Sequence, residues 1–131
     1  MVVKDKRILT TGYVGSPIGI EHCDEAGHQM HSVVNPDGSI SQHCIRTTHA
    51  EQNAITQAAR YGIPIDGATL YSRMEPCHVC AKIIINSGVK RVVCERRYHA
   101  AQLTRELFKK AGVQLDVMHD QVEVYTNQGM H

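Results

Sequence analysis

The residues best able to do chemistry are His49 and Glu51, two positions apart, followed by Cys77 and Cys80 at C-x-x-C spacing. One imidazole and two thiolates make a three-ligand zinc site, which keeps a fourth position for water and is the pattern of a catalytic centre. Zinc lowers the pKa of such a water toward neutrality, so hydroxide becomes available to attack an electrophilic carbon. Positions two apart on a helix do not share a face, which places Glu51 beside that water rather than on the metal. A carboxylate there can take a proton from the water and return it to the atoms under attack and departing. Two plainer readings stand alongside. Glu51 lies three residues after Thr48, the spacing of a capping box. A fourth protein ligand, for which His78 is the nearest candidate, would close the metal into a structural site.

These residues need elements to hold them. Thr48 and Glu51 predict a helix start, with Ala50, Ala54, Ile55, Ala58 and Ala59 on one face and an end near Tyr61-Gly62. Pro76 suits the start of a second helix from Cys77 to Ser87, closed by Gly88. His49, Cys77 and Cys80 would then occupy first helical turns, where the positive dipole end favours thiolate over thiol. A third helix is predicted from Ala101 to Ala111, with Leu103, Leu107, Phe108 and Ala111 inward and Gly112 as its stop. Strands are predicted at Ala68 to Ser72, Val89 to Cys94 and Val113 to Met118, with a last edge strand at Val122 to Thr126. At the N-terminus, Val2-Val3 and Arg7 to Tyr13 read as a hairpin around Lys4-Asp5-Lys6. From Val14 to Thr47 no periodicity is sustained, so the stretch reads as a long loop that must be functional or tied down. Strands separated by helices imply α/β architecture with parallel central strands.

Composition bounds the rest. A chain of 131 residues is expected to form a single domain, residues 1–131, around one core. With 14 Lys+Arg against 13 Asp+Glu, charge gives no argument for a nucleic-acid or membrane partner. No apolar run is long enough to span a bilayer and no signal-peptide core stands at the start, so a cytoplasmic location is expected. Five cysteines, two of them in C-x-x-C, suggest metal binding rather than a disulfide framework.

In this order, H-x-E and then P-C-x-x-C resemble the signature of the zinc-dependent nucleobase deaminases. From Val3 to about Val117 the chain is similar to the deoxycytidylate deaminases. The residues that carry the likeness are Gly12-Tyr13-Val14-Gly15-Ser16-Pro17-Ile18-Gly19, Cys23-Asp24, the run from Cys44 to Ala54, Gly67-Ala68-Thr69-Leu70-Tyr71, Ala81-Lys82 beyond the cysteines, and Ser87 to Val93. The resemblance implies a three-layer α-β-α sandwich around a mixed sheet of about five strands. It also implies a zinc enzyme that converts dCMP and water to dUMP and ammonia, with His49, Cys77 and Cys80 as ligands and Glu51 as acid/base. Gly15, Ser16 and Pro17 would hold sugar and phosphate, and Tyr98 would close over the substrate. Homo-oligomers, activation by dCTP and inhibition by dTTP are further family properties.

Three departures qualify the likeness. Val14 stands where the family usually carries asparagine, and valine cannot hydrogen-bond a sugar hydroxyl, which keeps another cytosine or purine substrate open. Arg73 stands two residues after Tyr71, where a threonine is usual, and reads either as a phosphate contact or as a solvated strand end. The family begins with a helix, whereas this chain starts inside the following strand; either the chain is a fragment, or a subunit interface covers the sheet face that the helix would have covered. A non-catalytic zinc module on the same fold is therefore a third reading, against which the intact Glu51 argues. Some relatives hold a second, structural zinc in the long loop. Here Cys23 and Cys44 with His28, His31 or His43 would supply it, unless the histidines are solvated and Cys44 is simply buried.

Overall fold

The computed structural model describes residues 1–20, 30–34, 38, 40–44 and 49–123, those at 30, 31, 33, 41–44 and 120–123 by backbone alone. Strands β1 (Val2–Lys4) and β2 (Arg7–Thr10) form an antiparallel hairpin whose two turn residues, Asp5 and Lys6, both take positive φ. That is the turn geometry that matches the right-handed twist of paired strands. Strands β3 (Met30–Val34) and β4 (Ile40–Cys44) pair antiparallel with each other as a separate two-stranded sheet. The stretch read as one long loop thus contains a hairpin.

Helix α1 (Ala50–Tyr61) comes next, then β5 (Thr69–Met74), α2 (His78–Asn86), β6 (Arg91–Tyr98), α3 (Gln102–Ala111) and β7 (Gln114–Glu123). The main sheet is five-stranded and mixed, in the order β2-β1-β5-β6-β7, with β5, β6 and β7 parallel as expected. Residues Val122 and Glu123 are not a separate edge strand. After an irregularity opposite Arg96 and Arg97 they resume parallel pairing within β7.

Local signals end the helices. Gly62 adopts the left-handed conformation at φ 65° and its N–H, like that of Ile63, donates to Ala58 O, closing α1. Gly112 does the same for α3, after Lys109 and Lys110 in the last turn. The three helices and the sheet share one apolar cluster, including Ala54 and Ala58 of α1, Ile84 of α2, Phe108 of α3, and Leu70 and Val92 of the sheet. Ala59 and Ala111, expected inward, are exposed, while Thr104 is fully buried because its hydroxyl donates to Pro76 O at 2.8 Å.

Side chains of a strand alternate between faces. In β5, Leu70 and Met74 are buried, whereas Tyr71 and Arg73 are exposed on the other face. There they border an open hollow of about 400 Å³ with Val93, Glu95 and Met118. Among the described residues no helix covers that face, and Arg73 is therefore placed away from the helix layer.

Candidate metal centre

Helices α1 and α2 bring their N-terminal ends together on the helix side of the sheet. His49 is the residue before α1, with extended φ −65° and ψ 149°, and Cys77 holds the same place before α2 at φ −71° and ψ 167°. Both were expected inside the first turn; each instead caps its helix, and only Cys80 lies in a first turn. The Cys77 sulfur accepts a hydrogen bond from Cys80 N at 3.5 Å, so the C-x-x-C spacing also caps α2. With His49 at the cap and no side-chain cap bond at this end, the capping-box reading of Glu51 fails. Thr48 itself lies outside the described residues.

His49 Nδ1 lies 3.1 Å from Cys80 Sγ and 3.6 Å from Cys77 Sγ, and the three ligand atoms fall within 4.8 Å of one another. Bonds of about 2.3 Å to sulfur and 2.0 Å to nitrogen, set tetrahedrally, require separations of roughly 3.5–3.8 Å. The donor set and its spacing therefore fit zinc. His78 is not in the cluster, and the described residues contain no second group of this kind. Of the residues expected to hold a second zinc, Cys23 and His28 lie outside the described residues. His43 and Cys44 are on β4, opposite His31 and Met30, with backbone alone described.

Electrostatics agree with a site for a cation. The Cys80 hydrogen bond and the His49 ring overcome burial and hold the Cys77 thiol well below the ordinary thiol range, while the same Cys77 contact and burial push Cys80 up. A metal in this place would hold both sulfurs as thiolates. Burial opposes charge on His49, yet Cys77 and Glu51 raise its pKa above the ordinary value. Glu51 is 6% exposed, and burial, the largest cause, raises its pKa, with the nearby Cys77 adding to the effect and His49 opposing it. Its Oε2 is buried with no hydrogen-bond partner. A carboxylate oxygen left in that condition is costly unless a ligand or water completes it.

The loop residues occupy a different hollow. Gly15, Ser16 and Pro17 line a cavity of about 570 Å³ with Gly12, Asn53 and Arg60, and none of the zinc-cluster residues borders it. Ser16 Oγ is buried there without a partner. Asn53 Nδ2 donates to Tyr13 O at 2.7 Å, tying the loop to α1. Gly12 packs so closely on α1 that a Cβ would run into Ala50 O and Ala54 N. Arg60 sits with its guanidinium 5.6 Å from the Tyr61 ring centre.

Tyr98, expected over the substrate, is 2% exposed and packs with Met74, Ala100 and Ala101. It does not border the loop cavity. Its backbone N–H donates to Glu75 Oε1 at 3.1 Å. Glu75, Gly12 and Asn53 are organising residues to which the sequence alone assigned no role. A glutamate just before the Pro76-Cys77 pair was the available signal for the first.

Comparison with known proteins follows the same outline. The cytidine and deoxycytidylate deaminase zinc-binding region matches residues 1–96. ComE operon protein 2 of Bacillus subtilis is 41% identical over 115 residues, covering 88% of this chain and 56% of that protein. The chain thus spans little more than half the length of that relative. Deoxycytidylate deaminase of Enterobacteria phage T4 is 32% identical, with 88% of this chain and 75% of the relative covered. Among solved structures, the crystal structure of dCMP deaminase from cyanophage S-TIM5 in complex with dCMP and dUMP superposes with a TM-score of 0.68. It is 32% identical, covering 89% of this chain and 77% of that one.

Proposed function

Because this chain belongs to the cytidine and deoxycytidylate deaminase family, we propose that it hydrolyses dCMP to dUMP and ammonia. One observation carries the reading: the unpartnered, buried oxygen of Glu51 stands beside a His-Cys-Cys cluster spaced for zinc. A structural zinc has no use for such a carboxylate, which weighs against a non-catalytic module.

In this mechanism His49, Cys77 and Cys80 hold the metal. Bound there, zinc supplies a water acidic enough to attack near neutral pH. Glu51 orients that water and accepts its proton. It delivers that proton to the pyrimidine ring nitrogen next to the carbon under attack, then takes the second proton from the hydroxyl now on that carbon and passes it to the amino group, which leaves as ammonia as the carbonyl forms. Burial that raises the Glu51 pKa suits both halves of the task, since the group must hold a proton and give it up. Gly15, Ser16 and Pro17 are proposed to seat sugar and phosphate, and Tyr98 to meet the base, for which its ring, buried here against Met74, Ala100 and Ala101, has to turn out of that packing. The dCMP and dUMP in the cyanophage structure support a nucleotide of this class.

The family likeness extends the proposal to a homo-oligomer responding to dCTP and dTTP, and to a cytoplasmic location. Among the described residues no helix is long and apolar enough to cross a membrane. The test is ammonia release from dCMP, CMP, deoxycytidine, dCTP and guanine by the zinc-loaded chain. A kcat/KM for dCMP about tenfold above the others is expected, the size of one lost polar contact. Preference for another member of the panel would move the substrate, as Val14 in the loop would permit. Ammonia from none of them would overturn the reading.

A further inference from the structure

Glu75 is fully buried between the end of β5 and the Pro76-Cys77 step that leads into the metal centre. A carboxylate in such a place needs a set of donors to replace its water. Arg105 of α3 provides two, Nε to Oε2 at 2.8 Å and Nη2 to Oε1 at 2.7 Å. The planar fork of arginine matches a carboxylate in this two-bond arrangement. A third comes from the Tyr98 N–H to Oε1 at 3.1 Å, and Arg97 Nη1 stands 3.6 Å from Oε2. The backbone reinforces the join, since Glu75 N donates to Arg96 O at 2.9 Å and Thr104 Oγ1 donates to Pro76 O at 2.8 Å.

One side chain therefore fastens the approach to the first cysteine to two neighbouring pieces 23 and 30 residues further on, the last residue of β6 and the first turn of α3. The approach carries a metal ligand and the end of β6 carries the aromatic ring assigned to the substrate. Packing alone does not call for this arrangement, because an apolar residue could fill the same volume. Only an acceptor holds the Tyr98 amide and the arginine fork at once.

We propose that Glu75 is a positioning residue that, clamped by Arg105, fixes the Tyr98 end of β6 against the metal-centre loop and so sets how well Tyr98 meets the bound nucleotide. The inference rests on the deaminase reading and on the place given there to Tyr98. Glu75 does not touch the reacting atoms; its effect passes through Tyr98.

The test uses the zinc-loaded chain carrying Glu75→Gln. Glutamine keeps an oxygen for the Tyr98 amide but turns an NH₂ group toward Arg105, so two donors face each other and the fork opens. Zinc should stay at one per chain. KM for dCMP should rise about fivefold, the worth of roughly one hydrogen bond, with kcat little changed. The paired variant Glu75→Gln/Arg105→Gln, in which the amides can bond to each other, should bring KM back toward the native value. A merely structural role would lower Tm and the active fraction and leave KM alone. Should Glu75→Gln not fold, Arg105→Lys keeps the charge, loses the fork and carries the same expectation. A second readout needs no substrate: solvent exchange of the Tyr98 amide, followed by NMR, should accelerate in Glu75→Ala. Native protein inactive on dCMP would remove the functional premise, whereas active native protein with unchanged KM in the variants would overturn the role of Glu75. Loss of zinc in Glu75→Gln would also overturn it, by assigning the residue to the metal rather than to Tyr98.

Discussion

At the metal corner each chemical side chain sits at the start of a helix whose inner face is sunk in the core, whereas from Thr11 to Ile18 the chain runs over the outside of α1. His49, Glu51, Cys77 and Cys80 depend on α1 and α2, which bury Ala54, Ala58 and Ile84. The loop depends on a close backbone approach at Gly12 and on the Asn53 bond to Tyr13, with Tyr13 and Ile18 left exposed. The proposed reaction chemistry is thus placed on parts that cannot shift without disturbing the core, and the proposed nucleotide seat on a part that can. A relative with a different substrate could rebuild the second without altering the first.

Cys80→Ala is the severest test of this division. The variant should purify without stoichiometric zinc and without deaminase activity, because two ligands do not make a stable site; one zinc per chain by metal analysis would show that the corner is less exacting than its geometry. Glu51→Gln should keep the metal and lose about 10²–10⁴ in kcat, the usual share of a positioned acid/base. Turnover at the native rate would move proton transfer to another group. Gly12→Ala should act on the loop side, since the new Cβ meets backbone of α1 and overpacking costs about 1–3 kcal/mol. Calorimetry should show a lower Tm and kinetics a higher KM, with zinc content intact; no change in either would mean that the loop lifts off α1 freely. Asn53→Ala should have the smallest effect, a rise in KM of about fivefold or less from one hydrogen bond. A fall in its kcat as deep as that of Glu51→Gln would erase the distinction between the two regions.

The metal corner was legible in the sequence because its information is local. Ligand types, their spacing and the flanking Pro76 lie within short windows, and Gly62 and Gly112 mark helix ends by their backbone freedom. The hairpin of β3 and β4 was not legible, because among the described residues these strands pair with each other outside the main sheet, and their sequence carries no apolar alternation to mark one face. Polar residues such as His31, Ser32, Gln42 and His43 leave no periodic trace. Thr104 and Glu75 were missed for the opposite reason. Both are polar residues that become buried through partners 28 and 30 positions away, which no window of sequence contains. Helix boundaries moved by a residue where a side chain, rather than a dipole, made the cap: Cys77 reads as helical and is the cap itself.

Strand β1 is among the first residues of the chain yet lies inside the main sheet, between β2 and β5. Its seam with β5 joins groups 70 positions apart, from the Met1 amino group to Tyr71 O. During synthesis the β1–β2 hairpin therefore emerges without its neighbour and waits through the making of α1 and β5. Closing so long a span is slow compared with forming local turns and helices. Refolding should accordingly show helix forming ahead of the β1–β5 seam, readable as early circular dichroism amplitude followed by late amide protection at Val2 and Leu70; simultaneous protection would refute that order.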